Sequence, residues 1–178
     1  MSRTTHRMLA MSAIVALAGF GATGATAAAG GPLVRSSGPL TDLRPAAAGP
    51  FDGARAAVQI VSSGGASSHT VLRVRGVEGA EGQTFGAHLH VGPCVAGNGA
   101  AAGPHYNADA LAGAEKPRVG EETEVWLDVT IDDGSGTATA SVPFVPVPGD
   151  HSVVVHALET NHETGLAGDR LACLPVEW

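Results

Sequence analysis

The chain has 178 residues and a formal net charge of −7, with seventeen acidic residues against ten basic ones. An acidic balance makes nucleic acid and anionic membranes poor partners, since both are polyanions. The length allows one ordinary domain once a leader is set aside.

The leader is residues 1–27. Arg3 and Arg7 precede an apolar, Ala-rich run from Met8 to Phe20, and Ala25-Thr26-Ala27 and Ala27-Ala28-Ala29 both offer small-residue cleavage sites. This is the pattern of a secretory signal peptide. The run is too short to span a bilayer, so no membrane span is expected. The chain is read as secreted or otherwise extracytoplasmic, in a cell envelope or periplasm. The leader holds two Arg and no acid, so the remainder carries −9. Cys94 and Cys173 are the two cysteines, and in an oxidising compartment an even pair points to a disulfide, with two buried thiols as the alternative.

Residues 28–53 are rich in Gly, Pro, Ala and Ser. Pro32, Pro39, Pro45 and Pro50 argue against a helix and against a central strand, so this stretch reads as a flexible or extended arm. From Ala54 onward, short strands alternate with Gly-rich turns. Ala56–Val61 is β-branched, His69–Val77 sets Val71, Arg73 and Arg75 against Leu72 and Val74, and Glu124–Ile131 sets Val125, Leu127, Val129 and Ile131 against Trp126, Asp128 and Thr130. Asp132-Asp133-Gly134-Ser135-Gly136 is a hairpin signal before Thr137–Val142. Ser152–Leu158 and Leu171–Val176 close the set. A long interruption runs over 92–122 and a shorter one over 159–170; loops of the first length in a compact domain usually carry function. Seven short strands without an amphipathic helix predict an all-β antiparallel sandwich or barrel over 54–178.

Chemistry concentrates in Gly86-Ala87-His88-Leu89-His90. Residues i and i+2 share a face on a strand, which sets two imidazoles side by side. Imidazole suits copper and zinc; a merely polar strip is the plain alternative. His156 closes the run Val153-Val154-Val155, and His105 sits in the Gly-rich segment Gly103-Pro104-His105-Tyr106-Asn107. His69 and His151 read as solvated strand ends, and His162, in the short second loop, reads as exposed, with an approach to the metal rim as the alternative.

These segments, followed by Ala167-Gly168-Asp169-Arg170-Leu171-Ala172-Cys173, resemble the copper/zinc superoxide dismutase family in the family's own order, over most of the chain from Ala56 to Val176. The resemblance implies a Greek-key β-barrel of nominally eight strands, leaving one strand unread, near the N-terminal end. It implies His88, His90, His105 and His156 as copper ligands, with His105 as the labile ligand that also carries a proton. It implies a Cys94–Cys173 disulfide, Arg170 as the cation that attracts superoxide anion, and Thr164 at the channel mouth.

The departures from the family are specific. No histidine occurs from Tyr106 through Asp150, so the family's zinc ligands are missing and a zinc site is not expected. The chain therefore resembles a copper-only branch. Without zinc, the second nitrogen of His105 needs another partner, and Asp109, Glu115 and Glu159 are the candidates. The implied function is an exported copper-dependent superoxide dismutase, converting superoxide to oxygen and hydrogen peroxide. The alternative is a copper-binding storage or delivery protein on the same fold. A zinc hydrolase is weaker, since no motif places an acid/base group beside an open ligand position. The composition neither requires nor excludes a homodimer.

Overall fold

Asp133 and Gly134 both adopt positive φ, 46° and 65°, and the backbone of Asp132 and Ser135 bonds across them in both directions. Positive φ at both central residues is the type I′ geometry, whose twist matches the strands it joins. The expected tight turn therefore forms, closed by the single bridge Asp132↔Ser135, and it links β7 (Val129–Thr130) to β8 (Ser135–Val142), which pair with other strands.

The computed structural model describes residues 33–178; the expected signal peptide and residues 28–32 lie outside the described residues. The strands before β7 are β1 (Leu33–Pro39), β2 (Thr41–Asp42), β3 (Arg55–Ser63), β4 (Ser67–Arg75), β5 (Thr84–Phe85) and β6 (Ala87–His90). After β8 come β9 (Asp150–His156) and β10 (Arg170–Glu177). A short 3-10 turn covers Gly99–Ala102, and one helical turn, α1, covers Ala108–Leu111. The fold is all-β and antiparallel. One sheet runs β1-β3-β4-β8, a second β2-β10-β9-β6, and β5 and β7 pair separately. No helix among the described residues is long and apolar enough to cross a membrane.

Alternation builds the core. Val58, Ile60, Leu72 and Val74 from the first sheet meet Leu89, Val153, Val155 and Leu174 from the second in one buried cluster. Burial of this kind is the main stabilising term of such a sandwich. Val154 and Cys173, one residue out of phase, belong to a smaller cluster with Leu43 and Ala102 on the far side of the second sheet. His88, His90 and His156 share that outer phase. The parity of β6 and β9 thus sends their histidines away from the main core and under the covering loops.

The arm reading of 28–53 needs correction. Leu33–Pro39 pairs along its whole length with β3, from Leu33↔Val61 to Pro39↔Arg55, and Thr41–Asp42 pairs with β10. β1 is an edge strand, and Pro39 stands at its last position, where a missing N–H is tolerated. It supplies the strand missing near the N-terminal end. The expected strand Glu124–Ile131 is regular only at β7; its first half joins by single bridges, His88↔Trp126 and Asn107↔Glu124. His151 is buried rather than solvated, packed between Tyr106 and Trp178, with its Nε2 against the Val147 carbonyl at 2.8 Å.

Gly86 precedes the histidine strand with little room around it. A Cβ there would lie 2.6 Å from the Ala167 Cβ and 2.8 Å from the Thr160 Oγ1. Overpacking of this kind costs about 1–3 kcal/mol, so Gly86→Ala is expected to lower stability by that amount in urea unfolding. A midpoint equal to that of the parent would show that the loop yields freely.

Candidate metal centre

Four imidazoles converge. His88 and His90 come from β6, His156 from the end of β9, and His105 from the loop that bridges back to His90. Tyr106 N–H donates to the Leu89 carbonyl at 2.7 Å and Val91 N–H to the Pro104 carbonyl at 3.2 Å, which fastens the His105 segment along β6. One ligand atom from each ring lies within 4.8 Å of the others. His88 and His90 are fully buried, His156 is nearly so, and the His105 side chain is 19% exposed.

Hydrogen bonds fix which nitrogen each ring offers. A carbonyl only accepts, so His90 Nδ1–H donates to Gly103 at 3.0 Å and His156 Nδ1–H donates to Gly168 at 3.2 Å. His105 Nδ1–H donates to the Glu124 carboxylate at 2.8 Å. These three rings therefore turn bare Nε2 atoms inward. His88 is inverted. Thr160 Oγ1 donates to Asp128, which leaves it free to accept His88 Nε2–H at 2.7 Å. His88 Nδ1 is then the free atom, and it is buried with no partner among the described residues. An orphaned buried lone pair is costly unless something binds it.

The protonation states agree. Burial pushes His90 down to about 3 and His156 down to about 4, with the neighbouring His105 and Arg170 pushing the same way. Burial and the three other imidazoles likewise lower His88 far below the ordinary range. These three rings are neutral near pH 7. The bare Nε2 atoms of His90 and His156 face each other at 3.3 Å with no proton to share. Two lone pairs at that distance repel, and a cation among the rings turns repulsion into coordination. The donor set fits a metal ion that favours imidazole.

Glu124 is the residue behind His105, and sequence reasoning missed it. The buried carboxylate accepts from His105, from Asn107 Nδ2 at 2.9 Å and from Trp126 Nε1 at 2.8 Å. Burial alone would raise its carboxyl; the three hydrogen bonds outweigh burial and hold it below the usual range. None of the expected candidates does this. Asp109 is bound bidentately by Arg118, at 2.8 and 3.1 Å, while Glu115 and Glu159 are exposed. The signal lay in the alternation: Glu124, Trp126 and Asp128 share one strand phase. That phase faces the histidines, with Asp128 reaching His88 through Thr160.

Arg170 reaches the site through a bulge. Ala172 pairs with Val155 while Arg170 pairs with His156, so Leu171 is an extra residue in β10. Without it Arg170 would share the core phase of Ala172 and Leu174. With it Arg170 shares the outer phase of His156 and Cys173. Its guanidinium donates to the Gly99 carbonyl at 2.6 Å. Arg170 and His105 line a surface depression of about 370 Å³ together with Thr164, whose hydroxyl is tied to Asn161. Cys94 and Cys173 form the disulfide, with Cα atoms 5.8 Å apart, tying the 3-10 segment's loop to β10. Such a bond is common in extracytoplasmic proteins. His162 is exposed beside Trp126, as expected.

No family model and no curated protein matches the sequence. Among solved structures the chain is similar to the crystal structure of the clock protein EA4. That likeness has a TM-score of 0.57 at 16% identity and covers 82% of this chain and 92% of that one. At this identity the likeness concerns the fold, and it supports the all-β antiparallel architecture.

Proposed function

We propose that the chain is an exported copper-dependent superoxide dismutase. The reading rests above all on four converging imidazoles oriented by hydrogen bonding, with a cation brought beside them by a bulge. Imidazoles without carboxylate or thiolate suit copper as well as zinc, and copper is the choice that the resemblance of the histidine motifs favours. Copper, when bound, supplies a one-electron couple that accepts an electron from one superoxide and returns it to a second. The chain's residues do the rest. His88, His90 and His156 hold the ion from rigid strands. His105, on the loop side and partly exposed, is the ligand edge that faces the depression. Arg170 draws a small anion there against a background charge of −9. Glu124 occupies Nδ1 of His105, the atom a second metal would need.

Metal analysis of purified protein joined to a superoxide-consumption assay tests this reading. One copper per chain, no stoichiometric zinc and measurable consumption are expected. Arg170→Ala is expected to leave copper content unchanged, lower the rate severalfold and weaken azide binding. Arg170→Glu should be slower still, with the difference shrinking as salt screens the field over about 8–10 Å. Copper held without consumption would move the protein to storage or delivery. Two metals per chain would overturn the copper-only reading, and a charge-reversed variant as fast as the parent at low salt would remove Arg170 from the site.

A further inference from the structure

The outer face of the sheet β1-β3-β4-β8 concentrates positive charge in an acidic protein. Arg35, Arg55, Arg73 and Arg75 all project from it and all are exposed. The chain has ten basic residues, of which Arg3 and Arg7 fall in the leader, so half of the remaining cations occupy this one face. The four strands contain no Asp or Glu. Among the described residues no carboxylate lies within ion-pair distance of any of these arginines. Arg55 and Arg75 are direct cross-strand partners, and Arg73 is two residues from Arg75. Like charges directly opposed destabilise a sheet, and no internal ion pair offsets that cost. A depression of about 500 Å³ runs over Arg55, Arg73 and Arg75 and is edged by the hydroxyl residues Ser37, Ser135 and Thr137.

We propose that this face docks a linear, non-aromatic polyanion carrying phosphate groups. Guanidinium matches phosphate bidentately. The arginines do not converge on one point, as they would around a single phosphate. They spread across a flat lattice whose spacings are about 4.8 Å between strands and about 6.8 Å between alternate residues. That spread suits successive phosphates of one chain. The four strands carry no Phe, Tyr or Trp, so the face offers no platform on which bases stack. A flat sheet face also enters no groove of a duplex. The histidine cluster lies on the outer side of the other sheet, so a docked polymer leaves it open.

The test uses the whole exported chain and end-labelled long-chain inorganic polyphosphate, followed by fluorescence anisotropy in metal-free, phosphate-free buffer. Binding is expected at low salt, with log K falling against log salt at a slope near −3 for four neutralised phosphates. The variant Arg35→Gln/Arg55→Gln/Arg73→Gln/Arg75→Gln should bind at least about tenfold more weakly, as expected when those phosphate contacts are lost, with a slope near zero. Arg55→Gln/Arg75→Gln should fall between the two and melt no lower than the parent, because it removes an opposed pair. Equal binding by parent and variants overturns the proposal. So does single-stranded DNA of matched length binding as tightly as polyphosphate, which makes the occupant a nucleic acid. A parent dimer in sedimentation that the variants disperse overturns it too, since the face then belongs to a second copy.

Discussion

Replacing Cys94 and Cys173 together by alanine is expected to remove about 4.5 kcal/mol of folding stability in the chain-entropy model, because the bond closes a loop across 79 residues. For a domain of this size that is a fall of roughly 10–20 °C in melting temperature. Alanine is the better replacement, since Cys173 is fully buried against Leu43, Ala102 and Val154, where a serine hydroxyl would lack a partner. The loss should also reach the histidines. The tethered loop carries Gly103, whose carbonyl sets the His90 tautomer, and Pro104, whose carbonyl receives Val91 N–H. Metal affinity is therefore expected to fall along with stability. Calorimetry and a chelator competition check both. A double-alanine variant melting within a few degrees of the parent would mean that the loop is held by packing rather than by the bond.

The clustered strand histidines were legible because strand parity is a strict rule. His88 and His90 had to share a face, and Val153-Val154-Val155-His156 had to end on one phase or the other. Parity alone does not tell which phase faces the core, and here the histidines take the outer one, beneath loops that no periodicity encodes. β1 was hidden by composition: Ser36, Ser37, Gly38 and Pro39 carry almost no β-propensity, and β3 supplies the pairing that makes the segment a strand. Arg170 reaches its place through an extra residue in β10, and a bulge has no signature in a run such as Asp169-Arg170-Leu171-Ala172. The Glu124–Asp128 stretch shows the limit of alternation from the other side. Its polar phase faces polar partners inside the protein, and alternation does not separate that environment from solvent.

Glu124 gives the sharpest test of that inward phase, and Glu124→Gln is its most informative replacement. The amide keeps the volume but trades one acceptor oxygen for a donor NH2. With the amide nitrogen toward His105, it meets two donors, His105 Nδ1–H and Trp126 Nε1–H; turned the other way, it meets Asn107 Nδ2. At least one buried donor is left unpaired in either orientation, at a cost of about 1–3 kcal/mol. His105 can relieve its own conflict by moving its proton from Nδ1 to Nε2. That restores the hydrogen bond but caps the nitrogen that turns inward toward the other three rings. The variant is therefore expected to fold, to lose about 1–3 kcal/mol in urea unfolding, and to hold copper about 10–100-fold more weakly, the usual range for a lost partner behind a ligand. Glu124→Ala should be worse on stability, since it strands all three donors. Asp109→Asn, which disturbs only the exposed pair with Arg118, should leave copper affinity unchanged. If Glu124→Gln holds copper as tightly as the parent while Asp109→Asn does not, the support for His105 runs through the loop and not through this buried carboxylate.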